Sequence, residues 1–181
     1  KKYVKILPDR IYEERKFIDT FSLTEEVSRR MEEAIAKGKN IVFEHNLHTT
    51  SVLNRLQKAK KSGYETSIHF LGVERIETQR NRVDARVLTG KGHDVDSTTI
   101  RERRDKGFTT IKTNLRVSDV TLIIDNSSKK PSVNLHFNEG ILVEKKANLA
   151  EWVKKEFEVA LKLQERLGVR PKESDSIKIK L

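Results

Sequence analysis

Two stretches within residues 40–107 hold residue types that could do chemistry together. The first is an apolar run ending on an acid and a string of polar groups, Ile41-Val42-Phe43-Glu44-His45-Asn46-Leu47-His48-Thr49-Thr50. The second is cation-rich, Arg82-Val83-Asp84-Ala85-Arg86-Val87-Leu88-Thr89-Gly90-Lys91-Gly92-His93-Asp94-Val95, and is followed by Arg101-Glu102-Arg103-Arg104. An acid at a strand's end, met by arginines from a later helix and loop, suits phosphoryl transfer. Oxygens that gain charge in that transition state need positive charge, which Arg supplies as a permanent, bidentate fork. A carboxylate can hold the attacking hydroxyl in line.

The surrounding pattern says which elements must position these groups. Tyr3-Val4-Lys5-Ile6-Leu7 reads as a short strand broken by Pro8, which leaves Asp9 at its exit. Ligands of parallel sheets bind at such exits. The competing reading is that Asp9 caps a turn beginning Asp9-Arg10-Ile11-Tyr12.

Ser22-Leu23-Thr24-Glu25 is a capping-box pattern, and Val27, Met31, Ala34 and Ile35 continue it at helical spacing up to Gly38. Residues 40–44 then predict a strand buried on both faces. A helix from Thr50-Ser51 carries Val52, Leu53, Leu56 and Ala59, and a strand over 66–73 follows. Helices are expected over 74–88 and 97–115, and a strand over 120–124 ends in Asp125-Asn126-Ser127. Tandem β-α-β units of this kind predict a parallel sheet with right-handed crossovers.

Beyond it, 133–137 and 141–143 predict a hairpin turning at Asn138-Glu139-Gly140. Asn148 is the expected cap of a long amphipathic helix, with Trp152 and Phe157 as core residues. The fold class is thus α/β, a parallel sheet flanked by helices with a C-terminal hairpin and long helix. Residues 1–170 are expected to form a single domain, and 171–181 a tail that is either an edge strand or unstructured.

Composition narrows the partners. The chain has 181 residues, with 37 Lys+Arg against 27 Asp+Glu and a net charge of +10, which favours anionic ligands without choosing among them. It has no cysteine, which excludes disulfides, thiolate zinc sites and cysteine nucleophiles and fits a reducing compartment. No apolar run approaches a membrane span and no signal peptide is visible, so a cytoplasmic protein without a membrane partner is expected.

The motifs carry a resemblance. Phe43-Glu44-His45-Asn46-Leu47 is similar to the Phe-Glu-Thr-Thr-Leu element of the zeta-toxin-like P-loop kinases. Arg82-Val83-x-x-Arg86, Gly92-His93-x-Val95 and Ile100-x-x-Arg103 resemble that family's Arg-Val-x-x-Arg, Gly-Gly-His-x-Val and Ile-x-x-Arg-Tyr segment. Leu7-Pro8-Asp9-Arg10-Ile11 looks like its Asn-x-Asp-x-Ile element, and Ile124-Asp125-Asn126-Ser127 like its closing strand.

The resemblance implies a P-loop kinase-like fold and ATP-dependent phosphorylation of a small hydroxyl-bearing substrate, such as the nucleotide sugar UDP-N-acetylglucosamine. It implies Asp9 as the base toward the acceptor hydroxyl, with Arg86 and Arg103 on the β- and γ-phosphates of ATP. Glu44, Asn46 and His48 fall on the substrate side, and Asn126 beside the nucleotide. Magnesium on the ATP phosphates is the implied ion, with no metal site in the protein, although His45, His48 and His93 invite one. A small helical antitoxin is the implied protein partner.

Two departures qualify the match. His45 and Asn46 replace the family's two threonines, and Gly90-Lys91-Gly92 lengthens its glycine pair. The G-x-x-x-x-G-K-[ST] phosphate cradle is missing: the Gly-Lys pairs Gly38-Lys39 and Gly90-Lys91 are preceded at the needed spacing by Glu33 and Ala85. In the family that loop lies just before the segment that Lys1 begins, so an N-terminal P-loop unit is expected to be missing from these residues. The alternative is a degenerate basic module that binds nucleotide, or nucleic acid through Arg101, Arg103, Arg104 and Lys106, with affinity falling steeply in salt. No aromatic platform or helix-turn-helix supports nucleic acid as the partner.

Overall fold

The computed structural model describes residues 4–6, 11–13 and 23–177, and the chain divides into two compact units, Lys1–Glu44 and His45–Leu181. In the first unit, β1 (Val4–Ile6) pairs antiparallel with β2 (Ile11–Glu13), Val4 opposite Glu13 and Ile6 opposite Ile11. This corrects the expectation that the first strand joins a parallel sheet. Residues 7–10 are far too short for the crossover that parallel pairing needs, so the second strand folds straight back. Asp9 and the Ser22 cap lie outside the described residues.

Helix α1 (Leu23–Ala36) follows, its Arg29 bridging Glu26 and Glu33 at 2.8 and 2.5 Å. Gly38, at φ 60°, turns the chain off the helix in a conformation that favours glycine. The strand expected over 40–44 does not form: these residues have no regular structure, and Val42 is 96% exposed. An apolar run becomes a strand only where a neighbour supplies ladder partners. No described strand pairs with this one.

The second unit is built on five strands in the order β3 (Ser67–Gly72), β4 (Val120–Asp125), β5 (Ser132–Asn138), β6 (Ile141–Lys146) and β7 (Lys172–Ser174). The sheet is mixed, not parallel throughout. β3 and β4 run parallel, as do β6 and β7, while β4, β5 and β6 are antiparallel neighbours. Residues 126–131 between β4 and β5 leave no room for a crossover helix. The hairpin forms as expected, with Glu139 at φ 48° and Gly140 at φ 81° making the turn. It is part of the main sheet, and β7 makes the first residues of the tail an edge strand.

Register puts Phe70, Ile123, Leu135 and the neighbouring Ile68, Phe137 and Leu142 on one face of the sheet. They form a single core cluster with Leu47, with Val52 and Leu53 of α2 (Ser51–Lys61), and with Phe108 and Ile111 of α4 (Ser97–Thr113). Trp152, Val153 and Phe157 of α5 (Glu151–Arg166) complete it, so Trp152 and Phe157 are core residues as expected. Helix α3 (Ile76–Leu88) buries no residue fully, which leaves its charged face available.

The N-cap of α5 is Ala150 instead of the expected Asn148. The Ala150 N–H finds its acceptor across the fold, at Asn134 Oδ1 (2.8 Å), which fixes the helix start at Ala150, and no side chain among the described residues caps the first turn. Gln164, buried on the same helix, accepts from Leu142 N (3.1 Å) and donates to Gly140 O (3.0 Å), and so holds the hairpin against α5.

Asp119, just before β4, receives the Thr66 N–H and hydroxyl, each at 2.8 Å, and pairs with Lys60 of α2 at 2.6 Å. The bond to Lys60, then those from Thr66, hold its carboxyl down to about 2 against the opposing pull of burial. An acid with a depressed pKa stabilises the fold fully above its unfolded value of about 4. That stabilisation disappears as pH falls from there through about 2. Asp119→Ala strands the buried Thr66 donors. It is expected to cost about 2 kcal/mol in denaturant melts at pH 7 and to flatten the acid limb of the stability profile. Parallel acid limbs in the two proteins would refute this role.

Candidate functional site

The parallel pair β3/β4 ends at Gly72 and Asp125, and its exit is tied down by a chain of hydrogen bonds. Asn126 N donates to Gly72 O at 2.8 Å, continuing the ladder past both strands. Asp125 Oδ1 accepts from Ser127 Oγ at 2.6 Å and from the Trp152 indole at 2.8 Å. Ser127 Oγ in turn accepts from Glu74 N at 2.9 Å. The acid closing β4 is therefore committed to structure, and the groups above it stand on a fixed rim.

Helix α3 rises from that rim. Arg82 Nη2 donates to Asn126 O at 2.8 Å, so the backbone of Asn126 is held from both sides while its side chain makes no hydrogen bond among the described residues. Arg86, one turn further along the same face, is exposed and its Nε reaches only Arg82 O, at 3.3 Å. The loop after α3 folds back over this turn. Lys91 N donates to Arg86 O at 2.8 Å, and a Cβ at Gly92 would stand 3.1 Å from that of Arg86. Gly90, at φ 67°, makes the reversal.

Helix α4 is started by Asp96, whose carboxylate accepts from Thr99 N at 2.8 Å and Thr99 Oγ1 at 2.5 Å. It carries two adjacent arginines with different surroundings. Arg104 Nη2 donates to Glu74 O at 3.0 Å, and its guanidinium lies 4.9 Å from the centre of the Phe108 ring, with burial lowering its pKa. Arg103 is half-buried and has neither hydrogen bond nor ion pair among the described residues.

One turn beyond Arg103, Gly107 is packed against the segment 45–48: a Cβ there would stand 3.1 Å from Asn46 O. That segment is a tight polar turn. His45 Nδ1 accepts from Leu47 N at 2.9 Å, His48 Nδ1 contacts Asn46 Oδ1, and the two imidazoles stack 5.5 Å apart. Leu47 enters the core at φ 54°, a left-handed conformation unusual for leucine.

The structure therefore brings Arg86 and Asn126 to one side of the β3/β4 exit through Arg82, and Asn46 and His48 to α4 one turn from Arg103. Glu44 closes the first unit and is exposed. Arg82 was missed as a positioning group, although it opens the Arg-Val-x-x-Arg motif and sits four residues before Arg86. Arg104 is a structural cation, and Lys106 lies 3.9 Å from Glu102, so two of the four cations suggested for nucleic acid have partners within α4 or its surroundings. No group of three or more His, Cys, Asp or Glu residues that could hold a metal ion occurs among the described residues, and no described helix is long and apolar enough to cross a membrane.

Comparison with known proteins bears on this arrangement. An uncharacterized protein of Haemophilus influenzae is 29% identical over 70 residues, which is 39% of this chain and 49% of that protein. The chain thus spans about half the length of the curated relative it matches. No solved structure matches the chain. The family model described as Zeta toxin matches residues 18–134, which take in the 45–48 turn, both arginine helices and the β3/β4 exit. That match covers the rim's β3, β4 and arginine helices, though not Trp152, and the chain belongs to the zeta toxin family.

Proposed function

We propose that this chain is the acceptor-binding and arginine-bearing part of an ATP-dependent phosphotransferase acting on a small hydroxyl-bearing substrate, a nucleotide sugar such as UDP-N-acetylglucosamine. The observation that supports this best is Arg103, a half-buried guanidinium without a partner among the described residues, one helical turn before Gly107, which packs on Asn46 O. Leaving a cation partly desolvated and unpaired costs stability that an anionic ligand would return. A triphosphate fits that vacancy of charge, and ATP supplies the phosphoryl group when bound, with Mg2+ on its phosphates.

In this reading Arg103 and Arg86 pair with the β- and γ-phosphates, and Arg82 fixes the turn of α3 from which Arg86 extends. Asn126 lies beside the nucleotide. Glu44, Asn46 and His48 hold polar groups of the acceptor, and Asp9 takes the proton from its hydroxyl. A phosphate cradle of the Walker type is not among these 181 residues, so transfer requires one from outside them. Residence in the cytoplasm and restraint by an antitoxin protein belong to the same proposal.

The experiment is phosphate transfer by the protein expressed from its complete gene. Magnesium-ATP is supplied with a panel of nucleotide sugars, and products are read by mass spectrometry. A mono-phosphorylated sugar nucleotide is expected. A protein that contains the Walker loop and binds magnesium-ATP, yet phosphorylates no hydroxyl compound of the panel, would overturn the proposal.

A further inference from the structure

The geometry points to His45 as a proton-operated latch: the 45–48 turn holds its shape only while His45 is neutral. The inference rests on the proposed substrate role of Asn46 and His48 only for its consequence in binding. The latch itself follows from the hydrogen bonds.

His45 Nδ1 accepts the Leu47 N–H at 2.9 Å. An acceptor nitrogen has no proton, so the neutral ring carries its hydrogen on Nε2. Protonation puts a second N–H on Nδ1, facing the Leu47 N–H, and turns an attraction into a donor–donor clash. Leu47 then loses the partner that holds its backbone, and its φ of 54° is strained for a leucine. The same turn carries the His48–Asn46 contact, and it lies against Gly107 of α4 through Asn46 O. Opening the latch therefore displaces Asn46 and His48 together.

The charges around His45 favour the latched state. His48 stacks on it from the same turn and Arg55 acts on it from α2, both disfavouring the imidazolium. On α4, packed on the turn at Gly107, the cations one turn before that glycine are Arg103 and Arg104. Glu44 is the one carboxylate adjacent in sequence. Burial first, then His48 and Arg55, lower the His45 pKa. For a base with a depressed pKa the sign is fixed. The latch is intact above the ordinary histidine value of about 6.5, the cost of keeping it rises as pH falls below that, and it opens through the lower folded value.

The test needs no substrate, so its outcome is independent of whether the protein is a kinase. Histidine ring nitrogen shifts and hydrogen exchange of the Leu47 amide are followed by NMR from pH 8 to pH 5. In the wild-type chain the Leu47 amide is expected to lose protection at least tenfold beyond the intrinsic pH trend. Its midpoint should coincide with the His45 titration and lie below that of a free histidine. His45→Asn offers a non-titrating side-chain acceptor to the N–H two residues on, as in an Asx turn, and should keep Leu47 protected throughout. His45→Ala should leave it unprotected at every pH. A wild-type Leu47 amide that stays protected while His45 titrates would overturn the latch. So would an unchanged midpoint in His45→Asn.

Discussion

Arg103→Ala is expected to lower phosphoryl transfer by the Walker-loop-bearing protein on the order of 10³-fold, with the loss in kcat and little change in KM for the acceptor. The magnitude is that of removing an arginine that meets charge developing in the transition state. The same substitution should leave stability within about 0.5 kcal/mol, because Arg103 has no hydrogen bond or ion pair to lose among the described residues. Its neighbour provides the contrast. Arg104 is bonded to Glu74 O and stacked on Phe108, so Arg104→Ala should lower stability by about 1–2 kcal/mol. Arg103→Lys keeps the charge and loses the fork, and should recover part of the rate. Steady-state kinetics and denaturant melts on the same three proteins decide the matter. Transfer that survives Arg103→Ala undiminished removes Arg103 from the phosphate site, whatever the substrate proves to be.

Adjacent arginines with opposite roles show where sequence reading stopped. The Ile100-x-x-Arg103 spacing identified the residue that is left unpaired, but nothing in Arg101-Glu102-Arg103-Arg104 told which guanidinium would find a carbonyl. That partner, Glu74, lies thirty residues away at the exit of β3. Local pattern fixed the helices and the hairpin well, since their signals lie within a few residues: the Gly140 turn, the Gly38 stop and the spacing of Trp152 and Phe157. It failed where the deciding partner was distant. Residues 40–44 have the apolarity of a buried strand but no ladder partner among the described strands, and the N-cap of α5 is Ala150, tied to distant Asn134, rather than the nearby Asn148.

Strand direction was misjudged for a related reason. Apolar runs ending in acids indicated parallel strands, and for β3 and β4 they are parallel. Direction beyond that pair is set by connection length, and the short links at 7–10 and 126–131 admit only antiparallel or non-adjacent returns. The candidate site was legible as motifs, while its geometry was not. The coupling of Arg82 to Asn126 O and of Gly107 to Asn46 O depends on backbone carbonyls, which carry no sequence signal.

Trp152→Ala should be the most damaging single change to the fold, costing about 3–5 kcal/mol and lowering the thermal midpoint by on the order of 10 °C. Trp152 is 4% exposed, and its ring leaves no space at Gly72, where a Cβ would stand 2.4 Å from the indole Cη2. On its other side it packs on Phe108 with ring centres 5.5 Å apart. Its N–H ends on Asp125, the carboxylate that also gathers Ser127 and, through it, Glu74. Truncation thus opens a cavity and removes a donor from the rim that supports Arg82 and Asn126. Trp152→Phe retains most of the volume and loses the donor, so it should cost about 1–2 kcal/mol. Gly72→Ala attacks the same contact from the strand side; since the indole is pinned by Asp125, the added methyl should cost about 1–3 kcal/mol instead of being absorbed. Because Trp152 is the chain's one tryptophan, unfolding must be followed by circular dichroism in its variants. Equal costs for Trp152→Phe and Trp152→Ala would mean that the bond to Asp125, not the packing, holds the strand exit together. A cost below about 1 kcal/mol for Trp152→Ala would show that the exit is held without either.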